Sequence, residues 1–407
     1  MKLNKFTQFT AISAAALMGS ASFAASNDAL LDLLVKKGVL SNSEASAVAA
    51  ELKEENSGIA FSAKGKETVK VRFNGRMQFQ YDQLAMEENG DDLPTTNHFY
   101  FRRLFLGAKA SLANGMYAET VLDFAGDDAP ELNFDKAIFG YKFNDALDLT
   151  LGYQKVPFGF EETSSSSKLP TIERSAANRF FADDIDFSSR HSGVHFEGDL
   201  DGGFSYAAAV VNAAQGEGSR LLGASNSSND IAAFGRLQWS GEGFTIGVDA
   251  GMQPNNEELL DKDDDGVVQN PGDNDVTAFT GYINYKVNGL NLLAEAFSGD
   301  LGDTGDVEGY ALRASYKFDK FEPVFRYARV EADEWEIDTD ELIRRAPKGG
   351  TVSGTDNEID SFYIGANYYY SPAVTFMAGY EMAESENDGG TDEAEVDGFR
   401  ARVQVLW

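Results

Sequence analysis

The sequence predicts an all-β fold, a 16-stranded antiparallel transmembrane β-barrel. Three observations support it. Residues 400–407 alternate polar and apolar side chains and end on Trp407, as the closing strand of an outer-membrane barrel does. Along 68–407, segments with this alternation recur an even number of times. Short turns and long loops join them alternately, an asymmetry typical of bacterial outer-membrane barrels.

The predicted strands are segments of alternating polarity bounded by turn residues. They cover 69–82, 97–112, 116–124, 132–143, 147–156, 190–200, 203–212, 230–240, 243–253, 276–287, 290–298, 307–318, 321–331, 358–370, 373–383 and 396–407. Aromatic residues cluster beside the short turns, where an interfacial girdle is expected. They are Phe143, Trp239, Phe244, Phe318, Phe321, Tyr368, Tyr369, Tyr370 and Trp407.

The N-terminal region predicts export. Residues 1–24 combine Lys2 and Lys5 with an apolar stretch and a small-residue cleavage site, as a signal peptide does. No cysteine occurs, so the protein crosses an oxidising compartment without disulfides. Residues 27–55 predict a short helical segment on the periplasmic side, in which Ser41 and Glu44 form a capping box. A mobile amphipathic tail is the alternative reading of this segment.

Strand parity predicts which side chains line the barrel interior. On the first strand the apolar residues occupy odd positions, so Arg72 and Arg76 face inward. The same argument turns further cations inward: Arg103, Lys109, Arg313, Lys317, Arg326, Arg400 and Arg402. Arginine keeps its charge and suits planar oxyanions, so this wall predicts an anion path. The alternative is that these cations pair with interior acids and brace the wall.

A net charge of −32 would by itself repel anions. The acids, however, concentrate in the long loops, outside the predicted membrane span. At physiological salt their field is screened within about 8 Å. We expect these loop acids to bind divalent cations that bridge to lipopolysaccharide.

The longest loop, 157–189, contains apolar residues that water would not solvate well. They are Phe158, Phe160, Leu169, Ile172, Phe180 and Phe181. Folding into the barrel would bury them and narrow the pore, and structured loops of this length are usually functional. We therefore predict an inward-folded third loop within a barrel domain spanning 68–407.

Several motifs resemble the phosphate-selective porin O and P family. They are the segments 101–107 (FRRLFLG), 123–126 (DFAG), 157–159 (PFG) and 173–175 (ERS). The resemblance implies a sixteen-stranded trimeric porin whose third loop carries a lysine and arginines at an anion-binding constriction. It assigns that role to Lys168 and Arg174, and a paired-arginine role to Arg102 and Arg103. Parity points Arg102 outward, so its pore role requires a local bulge or a position at the rim.

Other chemistry is weakly indicated. The sequence offers no plausible nucleophile with a base and an orienting partner, so we expect no enzyme activity and no cofactor. The sequence 261–266 matches the first half of a calcium loop, with Asp261, Asp263 and Asp265 as ligands, but Gly272 stands where a glutamate is expected. A surface Ca²⁺ site and plain acidic loop decoration both remain open.

The predicted function is passive diffusion of small anions, such as phosphate or related oxyanions, across the outer membrane of a Gram-negative bacterium. The expected anion path comprises Arg72, Arg76, Arg103, Lys109, Lys168, Arg174, Arg313 and Arg402. The alternatives are a general-diffusion porin with little anion preference and a structural or adhesive barrel. Expected partners are outer-membrane lipid, two further copies of the chain, and the barrel-assembly machinery through Trp407; nucleic acid is not expected.

Overall fold

A computed structural model describes residues 59–62, 68–112, 114–125, 132–213, 230–256, 259, 261–262, 268–270 and 272–407. The signal peptide predicted for 1–24 and the helical segment predicted for 27–55 lie outside these residues. Within the described part of the chain, no helix is long and apolar enough to cross a membrane.

Sixteen long antiparallel strands make up most of the described chain. They are β1 (Thr68–Glu88), β2 (Thr96–Leu112), β3 (Met116–Asp123), β4 (Asn133–Asn144), β5 (Leu147–Lys155), β6 (Arg190–Asp199), β7 (Phe204–Asn212), β8 (Ile231–Gly241), β9 (Phe244–Gln253), β10 (Val276–Val287), β11 (Leu290–Asp300), β12 (Asp306–Tyr316), β13 (Phe321–Ala332), β14 (Asn357–Ser371), β15 (Val374–Glu386) and β16 (Glu393–Leu406). Short strands lie at Ile59–Ser62, Asp91–Asp92, Asp261–Lys262, Val268–Asn270, Ile337–Asp338 and Thr351–Val352.

The α-helices of the described residues are single turns. They are α1 (Phe160–Thr163), α2 (Ala176–Arg179) and α3 (Thr339–Leu342). A π-helical turn, Phe180–Asp184, continues α2, and 3₁₀ turns lie at Asp201–Gly203 and Gly302–Thr304.

The chain divides into two compact units, one of residues up to Phe73 with Ala108–Tyr117 and one of Asn74–Gly107 with Ala118–Trp407. In the larger unit each long strand pairs with the next along the chain. The last strand, β16, then pairs with β1, as in the register Gln78↔Gln404. This ring leaves no free sheet edge, as a membrane-spanning sheet requires. It confirms the sixteen-stranded antiparallel barrel.

In the smaller unit, Ile59–Ser62 forms an antiparallel pair with the first residues of β1, from Ile59↔Val71 to Ser62↔Thr68. The Lys109 ammonium lies 4.6 Å from the centroid of the Tyr117 ring.

Side-chain burial alternates along the strands as parity predicts. On β16, Arg400 and Arg402 are buried inside the barrel while Phe399 is exposed on its outer face. Most of the predicted girdle residues, including Phe318, Phe321 and Trp407, are exposed. Tyr369 is an exception, because it faces inward and donates a hydrogen bond to Glu322.

The two ends of the barrel differ as expected. At the short-turn end, Asn288 and Gly289 both have positive φ (48° and 90°), which a two-residue type I′ hairpin requires. At the other end, the strands run further than predicted: β1 continues to Glu88. The inward residues Leu84 and Met86 are buried there in an apolar cluster. Their burial explains why β1 stays paired in a segment whose outward side chains are polar.

Trp407 closes the barrel against Gly75. The Gly75 amide donates to the Trp407 carbonyl at 2.9 Å, and the Trp407 amide donates to the Gly75 carbonyl at 3.2 Å. A Cβ atom at Gly75 would lie 2.2 Å from the indole ring, so only glycine lets the terminal ring lie flat on the strand.

We expect Gly75→Ala to displace the Trp407 ring and destabilise the barrel by roughly 1–3 kcal/mol, the usual cost of overpacking. Gly281→Ala on β10 is the matched control, because a Cβ atom at Gly281 would have no neighbour within 4 Å. The measurement is the urea midpoint of unfolding in detergent, read by electrophoretic mobility of unboiled samples. Equal midpoints for the two variants would contradict this account.

Candidate functional site

The third loop, 156–189, connects β5 to β6 and folds into the barrel. We call it L3. Its apolar side chains anchor it to the wall: Phe158 and Phe181 lie 6.2 and 5.2 Å from Phe297 of β11, and Phe187 lies 5.1 Å from Phe234 of β8, between ring centroids. Of the six residues expected to be buried, five are: Phe158, Leu169, Ile172, Phe180 and Phe181. Phe160 is half-buried and packs on Tyr282.

Two acids of L3 bind wall arginines. Glu173 pairs with Arg402 at 2.6 Å and with Arg102 at 3.0 Å, and Glu161 pairs with Arg313 at 2.7 Å. Burial disfavours the charge of Glu173, but Arg102 and Arg402 outweigh it and hold the pKa of Glu173 well below its usual range. Burial likewise opposes ionisation of Glu161, but Arg313 lowers its pKa. These arginines therefore brace the loop.

Two acids of the wall bind backbone amides at the start of α1. Asp249 of β9 accepts a hydrogen bond from the Gly159 amide at 2.9 Å. Glu295 of β11 accepts from the amides of Phe160 and Glu161. Arg236 of β8 connects the same region to the wall, since it pairs with Asp249 at 2.6 Å and donates to the Gly159 carbonyl at 3.1 Å. L3 is thus held to the wall at the start of its first helix.

Both Arg102 and Arg103 point into the barrel. Burial alternates in one phase up to Arg102, with Tyr100 inside, and in the opposite phase from Arg103, with Phe105 inside. This phase change indicates a local bulge, where two neighbouring residues can face one side. The Asp123 carboxylate stabilises it by accepting from the Leu104 amide at 2.9 Å.

Between L3 and the strands β1 to β8 lies a cavity of 570 Å³. Its lining is rich in cations, which are Arg76, Arg103, Lys136, Lys155, Arg174, Arg190 and Arg236. Asp135 and Glu197 are the acids in this lining. The opposite side of L3 packs on the wall, so this cavity lies on the other side of the loop.

Most cations of the cavity have a carboxylate partner. Glu162 of L3 pairs with both Lys155 and Arg174, the latter at 3.0 Å. The other pairs are Arg190 with Asp135, Lys136 with Glu119 and Arg236 with Asp249. Such pairs neutralise much of the lining charge.

Arg76 and Arg103 differ from the other lining cations. Within the described residues, no carboxylate lies within ion-pair distance of either guanidinium. Arg76 donates to the Ser166 hydroxyl at 2.7 Å and lies 4.3 Å above the Phe105 ring. Arg103 donates to the Gln78 side chain at 3.0 Å and is 8% exposed. Buried charge without a counter-charge is costly, so these two groups favour an anion in the cavity.

The eight residues expected to form the anion path divide into four groups. Arg76, Arg103 and Arg174 line the cavity. Arg313 and Arg402 are buried in ion pairs with L3. Lys168 is exposed on L3 but is not part of the cavity lining, and it lies close enough to Lys286 of β10 for the two charges to repel each other. Arg72 and Lys109 belong to the smaller unit.

The sequence analysis missed four lining cations: Lys136, Lys155, Arg190 and Arg236. Parity could have found Arg236, since the exposed Leu237 follows it. Lys155 is the last residue of β5 and lines the cavity together with its neighbour Gln154, so simple parity fails at this strand end. Of the proposed calcium ligands, Asp261 lies in a short strand. Asp263 and Asp265 lie outside the described residues.

A second loop that folds inward was also missed. Residues 333–356, between β13 and β14, contribute buried side chains to the same apolar cluster as L3, which are Ile337, Leu342, Ile343 and Val352. The acidic residues of this loop led to the prediction that it is exposed. The apolar residues between them could have predicted that it folds inward.

Solved structures with the same fold include a porin, an outer-membrane protein and an outer-membrane channel. The anion-selective porin from Comamonas acidovorans has 13% identity and a TM-score of 0.55, over 83% of this chain and 100% of that chain. The trimer form of OmpT from Vibrio cholerae has 14% identity and a TM-score of 0.53, over 83% and 99%. The channel DcaP of Acinetobacter baumannii has 12% identity and a TM-score of 0.56, over 85% and 99%.

Comparison with curated protein sequences gives no significant match. The family model "Phosphate-selective porin O and P" matches residues 71–407, which is nearly the whole barrel. The protein is therefore an outer-membrane channel, and the chain belongs to the phosphate-selective porin O and P family.

Proposed function

We propose that this porin conducts small anions, with phosphate and related oxyanions as its preferred solutes. The observation that carries the proposal is the pair of guanidinium groups without a carboxylate partner, the half-buried Arg76 and the buried Arg103, in the cavity beside L3. Their planar donor forks match oxyanion geometry, and the Ser165 and Ser166 hydroxyls lie beside Arg76 as further hydrogen-bonding groups. The family and the anion-selective relative from Comamonas agree with this choice.

The ion pairs of the other lining cations have a consequence for transport. Full neutralisation would make the lumen nonselective, and full exposure of seven cations would bind anions too tightly to release them. Conduction requires binding that is favourable enough for entry and weak enough for exit. Two unpaired arginines among paired ones satisfy both conditions.

The test is a planar bilayer measurement on the purified wild-type protein. In a potassium chloride gradient we expect a reversal potential of the sign that anion preference gives. Added phosphate is expected to reduce chloride current at concentrations where sulfonate buffers do not. A reversal potential near zero with no phosphate block would instead identify a general-diffusion porin.

We also propose that the barrel assembles as a homotrimer. The trimer form of OmpT supports this assembly. The outer face of β1 and β2 carries exposed aromatic residues, with Phe99 68% exposed and stacked at 5.9 Å on Phe79. Crosslinking in outer-membrane vesicles, followed by electrophoresis without boiling, is expected to give a trimer band. A barrel that stays monomeric after crosslinking contradicts this proposal.

The proposed partners outside the pore are outer-membrane lipid, lipopolysaccharide and the barrel-assembly machinery. Exposed apolar side chains on the outer wall, such as Leu237 and Phe325, suit a lipid environment. The exposed terminal Trp407 is the group that an assembly factor could contact.

A further inference from the structure

The loop 333–356 contacts L3 at two polar points. We call this loop the clamp. The Trp335 indole N–H donates to the Asp184 carboxylate at 3.0 Å. The Arg179 side chain, which is 3% exposed, donates through Nε to the Glu341 carbonyl at 2.7 Å. Both L3 residues lie in or directly after α2, so the clamp holds the second half of L3.

The clamp is itself fixed to the barrel wall. Thr339 at the start of α3 lies 3.0 Å from the Ser385 hydroxyl of β15. Asn357 of β14 donates to the Trp335 carbonyl at 2.8 Å, and Arg400 of β16 donates to the Arg344 carbonyl at 2.8 Å. Three wall strands therefore hold the clamp, which can transmit that rigidity to L3.

Apolar packing follows the same path. Leu342 and Ile343 of the clamp belong to one buried cluster with Phe180 and Phe181 of L3, and α3 packs against the turn Phe180–Asp184. Arg174 lies two residues before the start of α2 and five residues before Arg179. A shift of α2 therefore moves a residue that lines the cavity.

We propose that the clamp sets the position of L3, and thereby the selectivity of the pore, with Trp335 and Arg179 as positioning residues. Neither residue lines the cavity, so neither contacts the solute. The effect on selectivity rests on the proposed function, because it requires L3 to form the constriction. The effect on the position of L3 does not.

The absence of cysteine from the sequence makes a direct test simple. Ser166→Cys places a thiol on L3, in the cavity and beside Arg76, at a side chain that is 8% exposed. Ala207→Cys places a thiol on the β7 wall of the same cavity. The modification rate by a negatively charged methanethiosulfonate is measured for each thiol, with and without clamp substitutions.

Trp335→Phe keeps an aromatic ring but removes the N–H donor, and Arg179→Met keeps a long side chain but removes both donors. In the double variant we expect the Ser166→Cys rate to rise about threefold or more, since three hydrogen bonds that involve charged groups and the ion pair between Arg179 and Asp183 are lost. The Ala207→Cys rate is expected to stay unchanged. The reversal potential of the double variant should move towards zero. Arg179→Lys in place of Arg179→Met should restore part of the wild-type potential.

Unchanged Ser166→Cys rates in a folded double variant would overturn the proposal, as would an equal rise at Ala207→Cys, which indicates loosening of the whole barrel. If the double variant does not fold, Trp335→Phe alone decides by the same two rates. The two proposals can fail separately. If the wild-type pore shows no anion preference but the double variant still raises the Ser166→Cys rate, the proposed function is rejected and the positioning role stands.

Discussion

Replacing Arg76 and Arg103 by glutamine is expected to lower the anion-to-cation permeability ratio about tenfold. At about 8 Å and an effective dielectric constant of ~20, a unit charge contributes roughly 2 kcal/mol to the energy of an ion, before screening by salt. The double substitution removes both cations of the cavity that have no carboxylate partner. The reversal potential in a potassium chloride gradient measures the change, and phosphate block of chloride current should weaken in parallel.

Two controls make this result specific. Arg313→Gln removes a cation that parity also turns inward, but one whose charge Glu161 already neutralises. Its main effect should be on the stability of L3. Lys168→Gln removes an exposed cation of L3 that does not line the cavity, so we expect a smaller shift than for either arginine. A larger shift from Lys168→Gln than from the Arg76 and Arg103 pair would place the filter on L3.

Strand parity was sufficient for the barrel and for the direction of most lumenal side chains. Arg76, Arg313 and Arg402 all face inward, because the alternation of a strand with one face in lipid leaves little freedom. Parity does not say which of these cations remain uncompensated. Compensation depends on the positions of Glu161 and Glu173 in the folded L3. Long-range packing of phenylalanine side chains on β8 and β11 sets those positions.

Local departures from regular strand geometry account for the remaining differences. The bulge at Arg102 and Arg103 turns two neighbouring arginines inward, as the family resemblance required and simple alternation forbade. Lys155 departs from alternation at the end of β5, where it and its neighbour Gln154 both line the cavity.

Glu173→Gln is expected to destabilise the folded state by about 3–5 kcal/mol, the usual cost of removing one partner of a buried ion pair. Glu173 forms ion pairs with both Arg102 and Arg402. The substitution conserves the side-chain volume but leaves these two arginines without a counter-charge. Repulsion between these arginines should also release L3 from the wall. We therefore expect a lower urea midpoint in detergent and a larger, noisier single-channel conductance.

The matched control is Glu331→Gln on the outer face of β13, where the pair with Arg329 is 3.3 Å long and Glu331 is half exposed. Exposed pairs of this kind contribute little, so its midpoint should stay near that of the wild type.

The pH dependence gives a second check. The folded pKa of Glu173 lies well below the unfolded value of ~4.3, so its stabilisation is fully present above that value and is lost as the pH falls through the folded pKa. The difference in midpoint between wild type and Glu173→Gln should accordingly be constant from about pH 6 to 8 and shrink in acid below about pH 4. A difference that is absent at pH 7, or that grows in acid, would show that Glu173 does not anchor L3.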